Sequence, residues 1–115
     1  MNYNIEREIR DYIAKNLING KLKPGDRVYE LKYLTSLFKV NPNIVREALS
    51  QMEAEGLISK SNDYYIVAAD ENRISGLKEE FLNLYINDLV KNAAEIGMDL
   101  DDVIRILNLR NMANG

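Results

Sequence analysis

Only three residues, Lys39-Val40-Asn41, separate two stretches of helical apolar spacing. Leu31, Leu34, Leu37 and Phe38 stand before the link; Ile44, Val45, Ala48, Leu49 and Met52 follow it. Apolar residues three and four apart mark one face of a helix, so each stretch predicts a helix with one buried side. A link this short makes the pair a helix-turn-helix unit. Asn41 suits the cap of the later helix, and Pro42 suits its first position, where no N–H is needed. Gly56 suits its end. The opening Asn-Pro-Asn, with Arg46 close behind, gives this helix a polar start that a pure core helix does not need.

The same spacing at Ile5, Ile9, Tyr12, Ile13 and Leu17 predicts an earlier helix over about 3–19, stopped by Gly20. A Pro24-Gly25 turn follows in LKPGDRV. Leu57-Ile58-Ser59-Lys60 and Tyr64-Tyr65-Ile66-Val67 are β-prone runs around the turn-forming Ser61-Asn62-Asp63, which predicts a hairpin. Asp70 suits the cap of a long helix reaching about Glu95, with Gly97 behind it. A last helix is expected over about 101–112, with Val103, Ile104, Leu107 and Met112 apolar. The expected fold is mainly α with a small β-hairpin. Residues 1–69 form a winged helix-turn-helix domain and residues 70–115 a two-helix C-terminal region. In that architecture the third helix enters the DNA major groove by its N-terminal end.

Ile74, Leu77, Phe81, Leu84, Tyr85 and Leu89 make an apolar stripe on the long helix. Leu82, Ile86, Val90 and Ala93 carry it around. A helix this apolar needs partners on more than one side, so the C-terminal region is expected to form a homodimer through Leu77, Phe81, Leu84, Tyr85 and Leu89. Two-fold symmetry would place two recognition helices on a palindromic site.

Composition narrows the chemistry. The chain has no Cys and no His, so disulfides, thiolate metal sites and the commonest general base are absent. No nucleophile–base pair or phosphate-cradling glycine loop is visible, which argues against an enzyme and against a cofactor. No apolar run approaches the ~20 residues of a membrane span. The polar, charged N-terminus is not a signal peptide, and a cytoplasmic protein is expected. The net charge of −3 conceals an asymmetry. Residues 1–60 hold ten Lys/Arg against eight Asp/Glu, whereas residues 61–115 hold five against ten. Electrostatic binding follows the local field, and the front of the chain is the basic part.

Three segments, GKLKPGDRV (20–28), ELKYLTSLFKV (30–40) and NPNIVREALSQMEAEGLI (41–58), carry a resemblance over about residues 5–68. Together they resemble the GntR family of bacterial transcription regulators, and VNPN at 40–43 resembles its YtrA subfamily. The resemblance implies a transcriptional repressor, with control of ABC transporter genes. The 47 residues after 68 suit the two-helix dimerisation appendage of the YtrA-like members, not a large effector domain. No effector is named by the sequence. The expected place for one is a crevice between the dimer helices and the winged domain.

By the same resemblance, DNA contacts fall at Lys32, at Asn41, Asn43 and Ile44, at Arg46, and in the wing at Lys60 and Asn62. Arg46 suits either a phosphate or a guanine edge. Asn43 suits a phosphate or an adenine edge, and Asn41 is also explained as a cap. Lys32 stands where the family has Arg, which favours a phosphate contact. Ile44 replaces a common Thr and offers either contact with a thymine methyl or packing. The wing has no Gly-x-Gly, and Asp63 places a negative charge near its tip. Tyr64 and Tyr65 are expected to pack the hairpin rather than stack on bases. Asp99, Asp101 and Asp102 are expected to cap a helix, not to bind metal. The competing reading is a winged-helix protein-interaction or ligand-sensing module with weak DNA binding.

Overall fold

The computed structural model describes residues 4–114. Tyr3, where the first helix was expected to begin, lies outside them. Helix α1 spans Ile5–Ile18; Asn4 caps it by accepting the Arg7 N–H at 3.0 Å. Ile9, Ile13, Ala14 and Leu17 form its buried face. Beyond it the chain reverses at Gly20, whose φ of +82° lies in the left-handed region that glycine adopts without strain. Helix α2 spans Leu31–Phe38 and ends in Lys39, itself left-handed at φ 53°. Helix α3 spans Pro42–Ala54, with Asn41 accepting the Asn43 N–H at 2.9 Å as its cap. The polar start of α3 is thus partly the chemistry of helix initiation.

Helix α3 packs against both α1 and α2 through Val45, Ala48, Leu49 and Met52, all buried. In α2 only Leu34 is fully buried; Leu37 is half exposed. Aromatic rings join α2 to α1. Tyr12 lies 5.8 Å from Tyr29 and 5.6 Å, edge-on, from Phe38, between ring centroids. Asn16, buried in α1, donates its amide to the Tyr29 hydroxyl at 3.0 Å.

One charge is buried between helices. Arg10 is only 8% exposed and grips Glu55, at the end of α3, through two bonds of 3.0 and 3.3 Å. It also reaches Asp11 at 3.3 Å. The guanidinium fork and its apolar stem together tie α1 to the end of α3. Arg10→Ala is expected to destabilise the fold by about 1–3 kcal/mol through lost packing and a lost charge-assisted pair. Chemical denaturation would check this; a change under about 0.5 kcal/mol would contradict it.

At the α1–α3 seam Glu47 hydrogen-bonds to Glu6, which raises its pKa by that bond first and by charge repulsion second. Gln51 donates to the same Glu6 at 3.1 Å. The shared proton favours the folded state below the ordinary carboxylate range, and the contribution is lost as pH rises through the raised value. Glu47→Gln is therefore expected to raise the melting temperature at neutral pH and to leave it unchanged near pH ~4. Equal shifts at both pH values would contradict the pairing.

Strands β1 (Ile58–Ser61) and β2 (Tyr64–Val67) pair antiparallel, with Ile58 opposite Val67 and Ser61 opposite Tyr64. The turn is Asn62-Asp63, with Asn62 left-handed at φ 56°. Ser61, expected in the turn, is paired in the strand. A third segment joins this sheet. Arg27 bridges Ile66, and the bonds Gly25 N–H to Val67 O (2.9 Å), Val67 N–H to Asp26 O (2.8 Å) and Val28 N–H to Tyr65 O (2.8 Å) lay residues 25–28 along β2. The local pattern gave no sign of this pairing.

Helix α4 spans Glu71–Glu95, and Asp70 accepts the Arg73 N–H at 2.8 Å. One compact unit runs through Lys78 and a second begins at Glu79, so about two turns of α4 go with the winged domain. Ile74 and Leu77 belong to the first unit's buried core. In the second unit α5 spans Leu100–Asn114, slightly longer than expected. Asp99 accepts the Asp102 N–H at 2.9 Å and Asp102 accepts the Asp99 N–H at 3.1 Å, a reciprocal capping arrangement. Among the described residues no group of carboxylates is placed to hold a metal ion. No helix among them is long and apolar enough to cross a membrane.

Candidate nucleic-acid interface

Four elements raise the walls of one cleft. Arg27 comes from the segment beside β2, Lys32 from the first turn of α2, Arg46 from the second turn of α3 and Lys60 from β1. The cleft measures about 540 Å³ and is also lined by Leu49, Tyr64 and Tyr65. Its negative charges are Glu30 and Asp63. A shallower hollow beside it is lined by Lys32, Thr35, Ser36, Pro42 and Arg46, so Lys32 and Arg46 stand on the ridge between the two.

Among the described residues these four cations form no ion pair within 4 Å, whereas Arg7, Arg10 and Arg105 each have a carboxylate partner. Unpaired cations lining one concavity focus a positive field even on a chain of net charge −3. Tyr29 in the cleft wall does not oppose that field: its phenol is neutral at ordinary pH, and burial and the neighbouring Tyr12 raise its pKa further, outweighing the Asn16 bond.

Arg46 points away from the core and donates to Asn43 Oδ1 at 2.9 Å. Asn43 is exposed, and this bond sets the guanidinium beside the start of α3. The helix dipole at that end favours phosphate. Asn41 is occupied as the cap. Ile44 is half-buried, which leaves part of its side chain at the surface. Asn62 is exposed at the hairpin turn and does not line the cleft. Of the seven expected DNA-binding residues, the cleft therefore gathers Lys32, Arg46 and Lys60, with Asn43 attached through Arg46.

Sequence reasoning missed Arg27. Its guanidinium carbon lies 4.3 Å from the centroid of the Tyr64 ring, a cation–π contact worth about 0.5–1 kcal/mol at an exposed site. The ammonium of Lys60 lies 6.0 Å from the Tyr65 ring. Both tyrosines thus hold cations as well as packing the hairpin. The hairpin register, which sets Lys60 opposite Tyr65, was a signal for Lys60 but not for Arg27.

The expected dimer residues divide by exposure. Leu77 has no exposed surface and Phe81 is 7% exposed. Leu77 serves the core of its own chain and offers nothing to a partner, which corrects its place among the interface residues. Leu84, Tyr85 and Leu89 are about half exposed, as are Leu82 and Ile86 beside them and Ile104 and Leu107 on α5.

Residues 5–62, just over half of the chain, match the family described as bacterial regulatory proteins, gntR family. The chain is similar to the HTH-type transcriptional regulator YhcF of Bacillus subtilis, at 24% identity over 84% of this chain and 81% of that one. It is similar also to the HTH-type transcriptional repressor YtrA of the same organism, at 24% identity over 84% of this chain and 76% of that one. A solved GntR family transcriptional regulator from Listeria monocytogenes shares the fold, with a TM-score of 0.78 and 19% identity over 92% of this chain and 94% of that chain. The family model covers just over half of the chain and the solved relative shares its fold: the chain belongs to the gntR family of bacterial regulatory proteins.

Proposed function

We propose that this chain is a sequence-specific DNA-binding repressor that acts in the cytoplasm as a homodimer on a palindromic operator, without enzymatic activity. The observation that carries the reading is the cleft with four cations, unpaired among the described residues, beside the exposed start of α3. In this reading α3 enters the major groove with Asn43, Ile44 and Arg46 toward the bases, while Lys32 and Lys60 hold phosphates. Asn41 and Asn62 lie beside these contacts, at the α3 cap and the wing turn. Repression is steric: the bound dimer blocks transcription. The name of the YtrA relative supports the repressor role, and control of transporter genes follows only from the subfamily resemblance.

The half-exposed apolar residues of the second unit support the homodimer. Leu84, Tyr85 and Leu89 on α4, with Ile104 and Leu107 on α5, expose more apolar surface than a lone pair of helices normally leaves in water. A second copy of the same surface is the partner that brings two recognition helices to one DNA face.

The test is fluorescence anisotropy against a duplex selected from a random pool on the protein itself, with a scrambled copy as control, at several salt concentrations. Tighter binding to the selected duplex, weakening steeply with salt through counterion release, is expected. Equal and weak binding to both at low salt would sink the reading and favour an interaction module.

A further inference from the structure

The wing of this protein lacks what usually brings a wing close to DNA. Its tip is Asn62-Asp63, so it carries a side chain at each turn position and a negative charge. A carboxylate there repels phosphate, and the tip supplies no cation against it. Nevertheless a cation is built into the same small sheet from elsewhere. Three backbone hydrogen bonds and the Arg27–Ile66 bridge fasten residues 25–28 to β2. This pairing places Arg27 next to Tyr64, the residue that follows the turn.

The Tyr64 ring then braces the arginine. The guanidinium carbon lies over the ring, 4.3 Å from its centroid. Stacking engages the face and leaves the N–H groups at the edge available to acceptors. Among the described residues no carboxylate pairs with Arg27 within 4 Å, and Asp63 in the same cleft is not close enough to do so. An exposed, pre-oriented fork without an internal acceptor matches phosphate oxygens. Lys32, Arg46 and Lys60 line the same cleft as Arg27.

We propose that Arg27, braced on Tyr64, is a second contact of the wing to the DNA phosphate backbone beside Lys60, and that it offsets Asp63 in place of a glycine-based approach. The proposal rests on the DNA-binding reading above. Its role is sequence-independent: Arg27 positions the duplex, while α3 selects it.

The experiment measures affinity for the selected and scrambled duplexes across a salt series. It uses the full chain carrying Arg27→Gln, Tyr64→Leu, Tyr64→Phe or the double change Arg27→Gln/Tyr64→Leu. Arg27→Gln is expected to weaken both duplexes roughly tenfold and to reduce the salt slope by about one per half-site. Tyr64→Phe keeps the ring and is expected to bind like the unaltered protein. Tyr64→Leu is expected to weaken binding alone but to add nothing in the Arg27→Gln background, because its effect runs through the arginine. If Tyr64→Leu costs as much in both backgrounds, Tyr64 serves only the hairpin and the brace is overturned. An Arg27→Gln protein with the full salt slope overturns the phosphate contact while Arg46-dependent binding survives. If the unaltered chain shows no salt-sensitive binding, the DNA reading falls and the Arg27 role falls with it.

Discussion

Replacing Arg46 with alanine is expected to abolish most operator-specific binding while leaving the fold intact. The side chain is exposed, and it bonds to exposed Asn43. Thermal stability should therefore stay within about 0.5 kcal/mol of the unaltered protein. A specific arginine contact is worth about 1–3 kcal/mol, and a dimer on a palindrome makes it twice, so about 2–6 kcal/mol is at stake. The pattern of loss identifies the contact. A guanine reader loses discrimination between operator and scrambled duplex; a phosphate contact weakens both and lowers the salt slope by about one per site. Anisotropy against both duplexes measures this. Unchanged binding would mean that the start of α3 is not the recognition face.

Leu84→Glu is expected to produce monomers and, through them, to lose operator binding. Leu84 is 43% exposed on the single chain, with Tyr85, Leu89 and Ile86 exposed nearby on the same helix. A buried leucine contributes about 1.5–3 kcal/mol, and symmetry counts the position twice. Dimer dissociation should become more than about a hundredfold easier, since each 1.4 kcal/mol is tenfold. The winged domain should keep its own melting transition because Leu84 lies beyond Lys78, where the first compact unit ends. Sedimentation velocity separates the outcomes: an intact dimer with Leu84→Glu would place the interface on another face. Leu77→Glu is not an equivalent test, since Leu77 is fully buried and its loss would attack the fold itself.

Local rules made the helices legible. Asn41 and Asp70 cap where capping chemistry placed them, and the aspartates at 99 and 102 close the start of α5. Apolar period and turn residues gave the order of elements, because those signals act over a few residues. What was missed depends on partners far away in the chain. Arg27 sits in a turn-rich stretch, and only its pairing with residues about forty positions later turns it into part of the wing. Arg10 is buried through its pairing with Glu55, a partner forty-five positions away. An apolar stripe also cannot say where one unit's core gives way to another surface. Leu77 and Leu84 share the stripe, yet the first is fully buried and the second is not. Leu37 illustrates the converse: its spacing is that of a core residue, but α2 is too short and too peripheral to cover it.

The candidate site was partly legible for the same reason. Lys32, Arg46 and Lys60 lie on three elements whose order the sequence revealed, and the resemblance named them. Their convergence on one cleft is a tertiary fact. So is their lack of carboxylate partners among the described residues, which distinguishes them from the paired Arg7, Arg10 and Arg105.

The central claim is that this cleft and the start of α3 receive DNA. Its most direct test is an amide chemical-shift titration of the isotope-labelled protein with the selected duplex. The account predicts that the largest shifts fall at residues 41–46, around Lys32 and at Arg27 and Lys60 in the wing. It also predicts that they diminish when salt is raised. Shifts concentrated in α5, or none at low salt, would contradict it.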